Sequence, residues 1–107
     1  ENVAAFDWAD AFAGNVDREG VVDLSGQLGA VPDVIVADPP RAGAGAQVCE
    51  AIRATGAPRV VLVSCDPAAA ARDLRCLTEA GYSLESLRAW DLFPHTHHVE
   101  MVSVLTR

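Results

Sequence analysis

The chain has 107 residues, at most one domain, with half of them hydrophobic and a formal net charge of −7. Its eight basic residues are all arginines spread along the chain, so it is not built to grip nucleic acid by electrostatics alone, which needs clustered cations. No apolar run approaches the roughly 18–20 residues of a membrane span.

Glu1-Asn2-Val3 opens in mid-pattern, and the chain reads as a fragment lacking its N-terminal portion. Val3 to Asp7 is strand-like, with Trp8-Ala9-Asp10-Ala11 at its end. Trp8 and Phe12 read as core aromatics rather than stacking platforms. From about Phe12 to Pro32 the chain is punctuated by Gly and Asp, with at most a short helix near Val21 to Leu28. Val34-Ile35-Val36-Ala37 is a continuous apolar run, the mark of a strand buried on both faces.

Ala44 to Ala54 is predicted as a helix, with Val48 and Ile52 at i, i+4 and Gly56 past its end. Val60 to Ser64 is the next strand. Pro67 then opens a helix with Ala71, Leu74 and Leu77 as its buried stripe and Gly81 closing it. Ser83 to Leu92 and Val99 to Thr106 are strand-like. The corner Phe93-Pro94-His95-Thr96 between them is too short for a helical crossover, so they should pair antiparallel. The expected fold class is α/β: an open, mostly parallel sheet with a C-terminal antiparallel hairpin.

Two strand ends carry chemistry. Ligands and reactive groups in open α/β sheets sit outside the carboxyl ends of the strands. Ser64-Cys65-Asp66-Pro67 stands at one such end. Amides at the start of the following helix would favour the thiolate of Cys65, the reactive form, whereas Asp66 would oppose it unless turned aside as a helix cap. A small buried hydrophobe is the plainer alternative for Cys65. Asp38-Pro39-Pro40-Arg41 ends the preceding strand, either as an ordinary turn or as a rigid ledge holding a carboxylate and an arginine against a ligand.

His95, His97 and Glu100 do not complete a metal-ligand spacing, so no metal is expected, and Glu100 is open to a general acid or base role. Cys65 with Arg72 superficially matches a cysteine-phosphatase loop. The spacing is one residue too long, glycines are lacking, and Asp66 would repel a phosphate. Cys49 and Cys76 fall inside helices and read as packing. The three cysteines form neither a zinc spacing nor a disulfide framework, which points to a reducing, cytoplasmic setting.

Four ordered motifs covering nearly all of residues 34–107 resemble the uracil-5 RNA methyltransferases, which make 5-methyluridine in tRNA and ribosomal RNA. They are Asp38-Pro39-Pro40-Arg41-Ala42-Gly43, Val63-Ser64-Cys65-Asp66-Pro67, Ala71-Arg72-Asp73-Leu74, and, after Gly81-Tyr82, Asp91-Leu92-Phe93-Pro94-His95-Thr96 with His98-Val99-Glu100. The resemblance implies the C-terminal portion of a Rossmann-like class I methyltransferase domain, S-adenosyl-L-methionine as cofactor, and an RNA partner. It also implies Cys65 as nucleophile, Glu100 as general base, and Asp38 and Asp10 as cofactor-binding residues. Pro39, Arg41, Arg72 and His98, within or beside the same motifs, are the expected substrate-binding residues.

The chain departs from the family pattern at Asp66, where Asn is common, at Ala69-Ala70 in place of Thr-Leu, and at His97. The glycine-rich cofactor loop, the ribose-binding acid and an RNA-binding domain are not in this sequence, so the isolated piece should be inactive. The competing readings are a cytosine-5 RNA methyltransferase and a non-catalytic Rossmann-like interaction module.

Overall fold

A computed structural model describes residues 18–91 and 99–107. Over these residues the order is α1 (Arg18–Leu28), β1 (Ile35–Ala37), α2 (Ala46–Thr55), β2 (Arg59–Ser64), α3 (Pro67–Glu79), β3 (Ser83–Trp90) and β4 (Glu100–Thr106). The expected first strand, the Phe93–Thr96 corner, Trp8 and Phe12 lie outside the described residues.

Local chemistry sets the helix limits. Asp66 caps α3, its carboxylate accepting the Ala69 N–H at 2.9 Å, and Pro67 occupies the first turn, where no N–H is needed. Gly56 ends α2 in the left-handed conformation (φ 78°), which costs glycine nothing, and donates to Arg53 O at 3.1 Å. Helix α1 begins three residues before the predicted short helix.

The sheet order is β1-β2-β4-β3. Strands β1 and β2 pair in parallel, while β4 pairs antiparallel with both β2 and β3. Three strands therefore run one way, and the predicted hairpin partner, β4, inserts between β2 and β3. The hairpin forms as expected, but the insertion means that β2 and β3 never touch as parallel neighbours.

Alternation along β2 and β4 separates the two faces. Val60, Leu62 and Ser64 are buried and pair with buried Leu105, Ser103 and Met101. This face meets Val48, Cys49 and Ile52 of α2 and Leu77 of α3, forming the core together with Tyr82. The other face carries Val61, Val63, Val102 and Val104, all partly exposed, and Val36, which is 68% exposed.

Two expectations are corrected here. The run around β1 is buried on one face only, because the described helices pack against the Ile35 and Ala37 side and leave Val36 open. The buried stripe of α3 is Ala69, Ala70, Asp73 and Leu77, with Leu74 partly buried and Ala71 exposed. Counting only apolar residues had rotated that stripe, since its central member is a carboxylate.

Candidate active site

Parallel strand direction gathers the chemistry-bearing residues at one edge. Asp38 directly follows β1, Cys65 directly follows β2, and Glu100 opens β4. The β2/β4 register ends at Ser64↔Met101, the residues next in the chain to Cys65 and Glu100. Ser64 and Met101 are buried, while Cys65 and Glu100 are partly buried. Asp38 is exposed and, among the described residues, has neither a hydrogen-bond nor an ion-pair partner.

Each arm of this edge is fixed by its own local chemistry. Asp66 is committed to the α3 cap, the alternative the sequence left open for it. On the other arm, Pro40-Arg41-Ala42-Gly43 closes a turn through Gly43 N–H to Pro40 O at 2.8 Å. Pro39 is buried beneath it, while Arg41 is exposed at the bend. Arg72 lies on the exposed flank of α3. Asp10 and His98 lie outside the described residues, as do His95 and His97.

The cysteines differ in setting. Cys49 is 2% exposed, and burial, reinforced by the nearby Asp73 charge and the neighbouring Cys76 thiol, pushes its pKa from 9.0 up to about 12. It is therefore a packing residue held in the unreactive thiol form, as expected. Cys65 is partly exposed at the strand end.

Two residues near the edge have no role assigned from the sequence, although Asp73 falls within one of the motifs. Asp73, only 3% exposed, accepts from Ala44 N–H at 2.7 Å and Gly45 N–H at 3.0 Å. Its spacing, three residues after Ala70 and four before Leu77, is the signal that places it on the buried stripe. Trp90, 42% exposed, stands opposite Glu100 in the β3/β4 register, with the Arg88 guanidinium 5.7 Å from its ring centroid. A concavity lined by Asp33, Val34, Pro58, Arg59, Thr106 and Arg107 lies at the opposite edge and holds none of the expected site residues.

The fold has known counterparts. The structure of M1.HpyAVI aligns with a TM-score of 0.59 over 88% of this chain and 53% of that chain, at 17% identity, a likeness of fold alone. The crystal structure of Pyrococcus abyssi tRNA (uracil-54, C5)-methyltransferase in complex with S-adenosyl-L-homocysteine aligns with a TM-score of 0.61. That likeness carries 38% identity and covers 69% of this chain and 18% of that one. The architecture is thus a partial Rossmann-like methyltransferase fold.

The profile of the tRNA (Uracil-5-)-methyltransferase family matches residues 9–107, and the chain belongs to that family. It is 50% identical over 98 residues to an uncharacterized RNA methyltransferase of Bifidobacterium longum (strain NCC 2705), covering 92% of this chain and 22% of the relative. It is 47% identical over 108 residues to another from Streptomyces coelicolor, covering 97% of this chain and 22% of that relative. The chain therefore spans about a fifth of the length of these curated relatives.

Proposed function

We propose that this chain is the C-terminal portion of the catalytic domain of an enzyme that methylates carbon 5 of a uridine in tRNA or ribosomal RNA. What supports the reading is that Cys65 and Glu100 are the chain neighbours of Ser64 and Met101, the last pair of the β2/β4 register, with Asp38 following β1 at the same edge.

Carbon 5 of uracil is too weak a nucleophile to accept a methyl group unaided. In this reading the Cys65 thiolate adds to carbon 6, and the displaced electron pair generates an enolate that makes carbon 5 nucleophilic. S-adenosyl-L-methionine, held by the whole protein, would supply the methyl group to that carbon, its S–CH3 bond breaking to leave the neutral thioether S-adenosyl-L-homocysteine. Glu100 then takes the proton from the methylated carbon 5. The electrons of that C–H bond re-form the 5,6 double bond and expel the Cys65 thiolate.

Asp38 fits a cofactor-facing role, since it is an exposed carboxylate without a partner among the described residues and would meet a cationic ligand directly. Asp10 is proposed at the adenine end of the cofactor. Arg41 and Pro39 on the turn, with Arg72 and His98, are proposed to contact the RNA. The bulk of the affinity must come from outside this acidic chain, which carries −7 overall.

The test uses the full-length protein with S-adenosyl-L-methionine and RNA containing 5-fluorouridine, read by intact-protein mass spectrometry. Fluorine on carbon 5 cannot leave as a proton, so a covalent RNA–protein adduct is expected to accumulate and to vanish in Cys65→Ser. No adduct from a folded, cofactor-binding protein given cellular RNA would overturn the mechanism and favour a non-catalytic module.

A further inference from the structure

The Asp38 loop and the Cys65 loop leave different strands, yet both are fastened to one helix. Cys65 is held through its neighbour Asp66, whose carboxylate caps the N-terminus of α3. Seven residues on, Asp73 projects from the same helix into the loop between β1 and α2. Each of its oxygens takes one of two consecutive amides, Ala44 N–H and Gly45 N–H.

The fit leaves little freedom. Gly43 has φ +91°, and a Cβ placed on it would stand 2.8 Å from Asp73 Oδ2 and 3.2 Å from Ala69 Cβ. Loop and helix are in such close approach that any side chain at position 43 would force Asp73 or the loop to shift. Gly43 in turn closes the Pro40–Gly43 turn, and Asp38 lies two residues before Pro40. Helix α2 begins after Gly45, and Asp73 takes from α3 the amide of this N-cap residue, the group that the carboxylate of a capping box takes from within its own helix.

A carboxylate is a costly group to bury in order to link two backbones, and an apolar side chain at position 73 would orphan both amides. We propose that Asp73 is a positioning residue. It locks the Asp38–Arg41 ledge to the helix that carries Cys65, and so fixes the separation between the nucleophile and the ligand-binding carboxylate. The inference rests on the function proposed above and assigns Asp73 no contact with substrate.

The experiment measures kcat and KM for RNA in the full-length protein, well below its melting temperature, for Asp73→Asn, Gly43→Ala and the double variant. Asparagine keeps the shape but can accept only one of the two amides. Gly43→Ala presses on the same contact from the loop side and needs no change in the helix. Each single variant is expected to lower kcat about 10- to 100-fold, the scale of a small misplacement of reacting groups, with KM for RNA changed less than about twofold. The double variant should lose far less than the product of the two single losses, because both disturb one contact.

A lowered melting temperature with kcat within about twofold of the parent would make Asp73 merely structural and overturn the proposal. So would single losses that multiply fully in the double variant. If Asp73→Asn fails to fold, Gly43→Ala alone decides, since unchanged kcat there removes the link between loop geometry and turnover. A parent protein that forms no 5-fluorouridine adduct instead refutes the underlying mechanism, which separates the two failures.

Discussion

The two edges of the sheet are built on opposite plans. At the edge where β2 and β3 begin, several polar groups are paired. Tyr82 donates its hydroxyl to Ala57 O at 2.7 Å, Arg107 N–H reaches Pro58 O at 3.0 Å, and the Arg107 guanidinium reaches Arg53 O at 3.2 Å. At the edge where those strands end, the side chains of Asp38, Cys65 and Glu100 have no hydrogen-bond partners among the described residues, although the loops that carry Asp38 and Cys65 are tied down through Asp73 and Asp66. One edge ties several polar groups into the fold, whereas at the other three polar side chains stand without partners among the described residues.

The sharpest way to break that contrast is to remove one group from each side of it. Cys65→Ala in the full-length protein is expected to lower turnover by on the order of 10⁴-fold or more, as loss of a covalent nucleophile does, while moving stability by less than about 0.5 kcal/mol. Leu105→Ala should behave inversely. Leu105 is fully buried against Val60 in the core, so the change should cost about 2–5 kcal/mol of stability and leave turnover of the folded protein near that of the parent. Thermal melting and initial rates on the same two samples check both. A large stability loss from Cys65→Ala would place that thiol in the core after all.

The next effect concerns pH and separates the two kinds of cysteine. In the unfolded chain Cys49 gives up its proton near pH 9, whereas in the folded one burial holds the proton to about 12. Between those values the unfolded state binds fewer protons, so Cys49 makes stability fall as pH rises, and its penalty is absent below pH 9. At about 1.4 kcal/mol per unit, the loss attributable to Cys49 approaches roughly 2 kcal/mol by pH 10.5. Denaturant midpoints of the parent and Cys49→Ala, followed from pH 8 to 10.5, should converge as pH rises. Parallel curves would contradict the buried-thiol assignment.

Much of this architecture is legible in the sequence where a local signal decides it. Asp66-Pro67 announces the start of α3, Gly56 the end of α2, and the short corner the pairing of β3 with β4. The placement of Asp38, Cys65 and Glu100 on one edge also follows, because strand direction alone dictates it. What the sequence hides is set by tertiary neighbours. Periodicity tells which residues share a face but not what covers it, so Val36 reads as buried although its side of β1 is open. The insertion of β4 beside β2 leaves no local trace. Asp73 is missed because a hydrophobic count passes over a carboxylate whose partners, the amides of Ala44 and Gly45, lie 29 and 28 residues away.

The smallest effect tests the paired edge itself. Tyr82 is 3% exposed, and its ring lies under the Arg107 guanidinium at 5.4 Å from the centroid. Tyr82→Phe keeps the ring, its packing and that cation contact, and deletes only the hydroxyl that serves the carbonyl of fully buried Ala57. A lone buried acceptor left without its donor should cost about 1–2 kcal/mol. Because this bond joins the turn before β2 to the turn before β3, far along both strands from Cys65, kcat should stay within about twofold of the parent, as for a change remote from the reacting groups. A fall in kcat as large as that expected for Asp73→Asn would mean that the two edges are mechanically coupled through the strands, and the division between a holding edge and a working edge would fail.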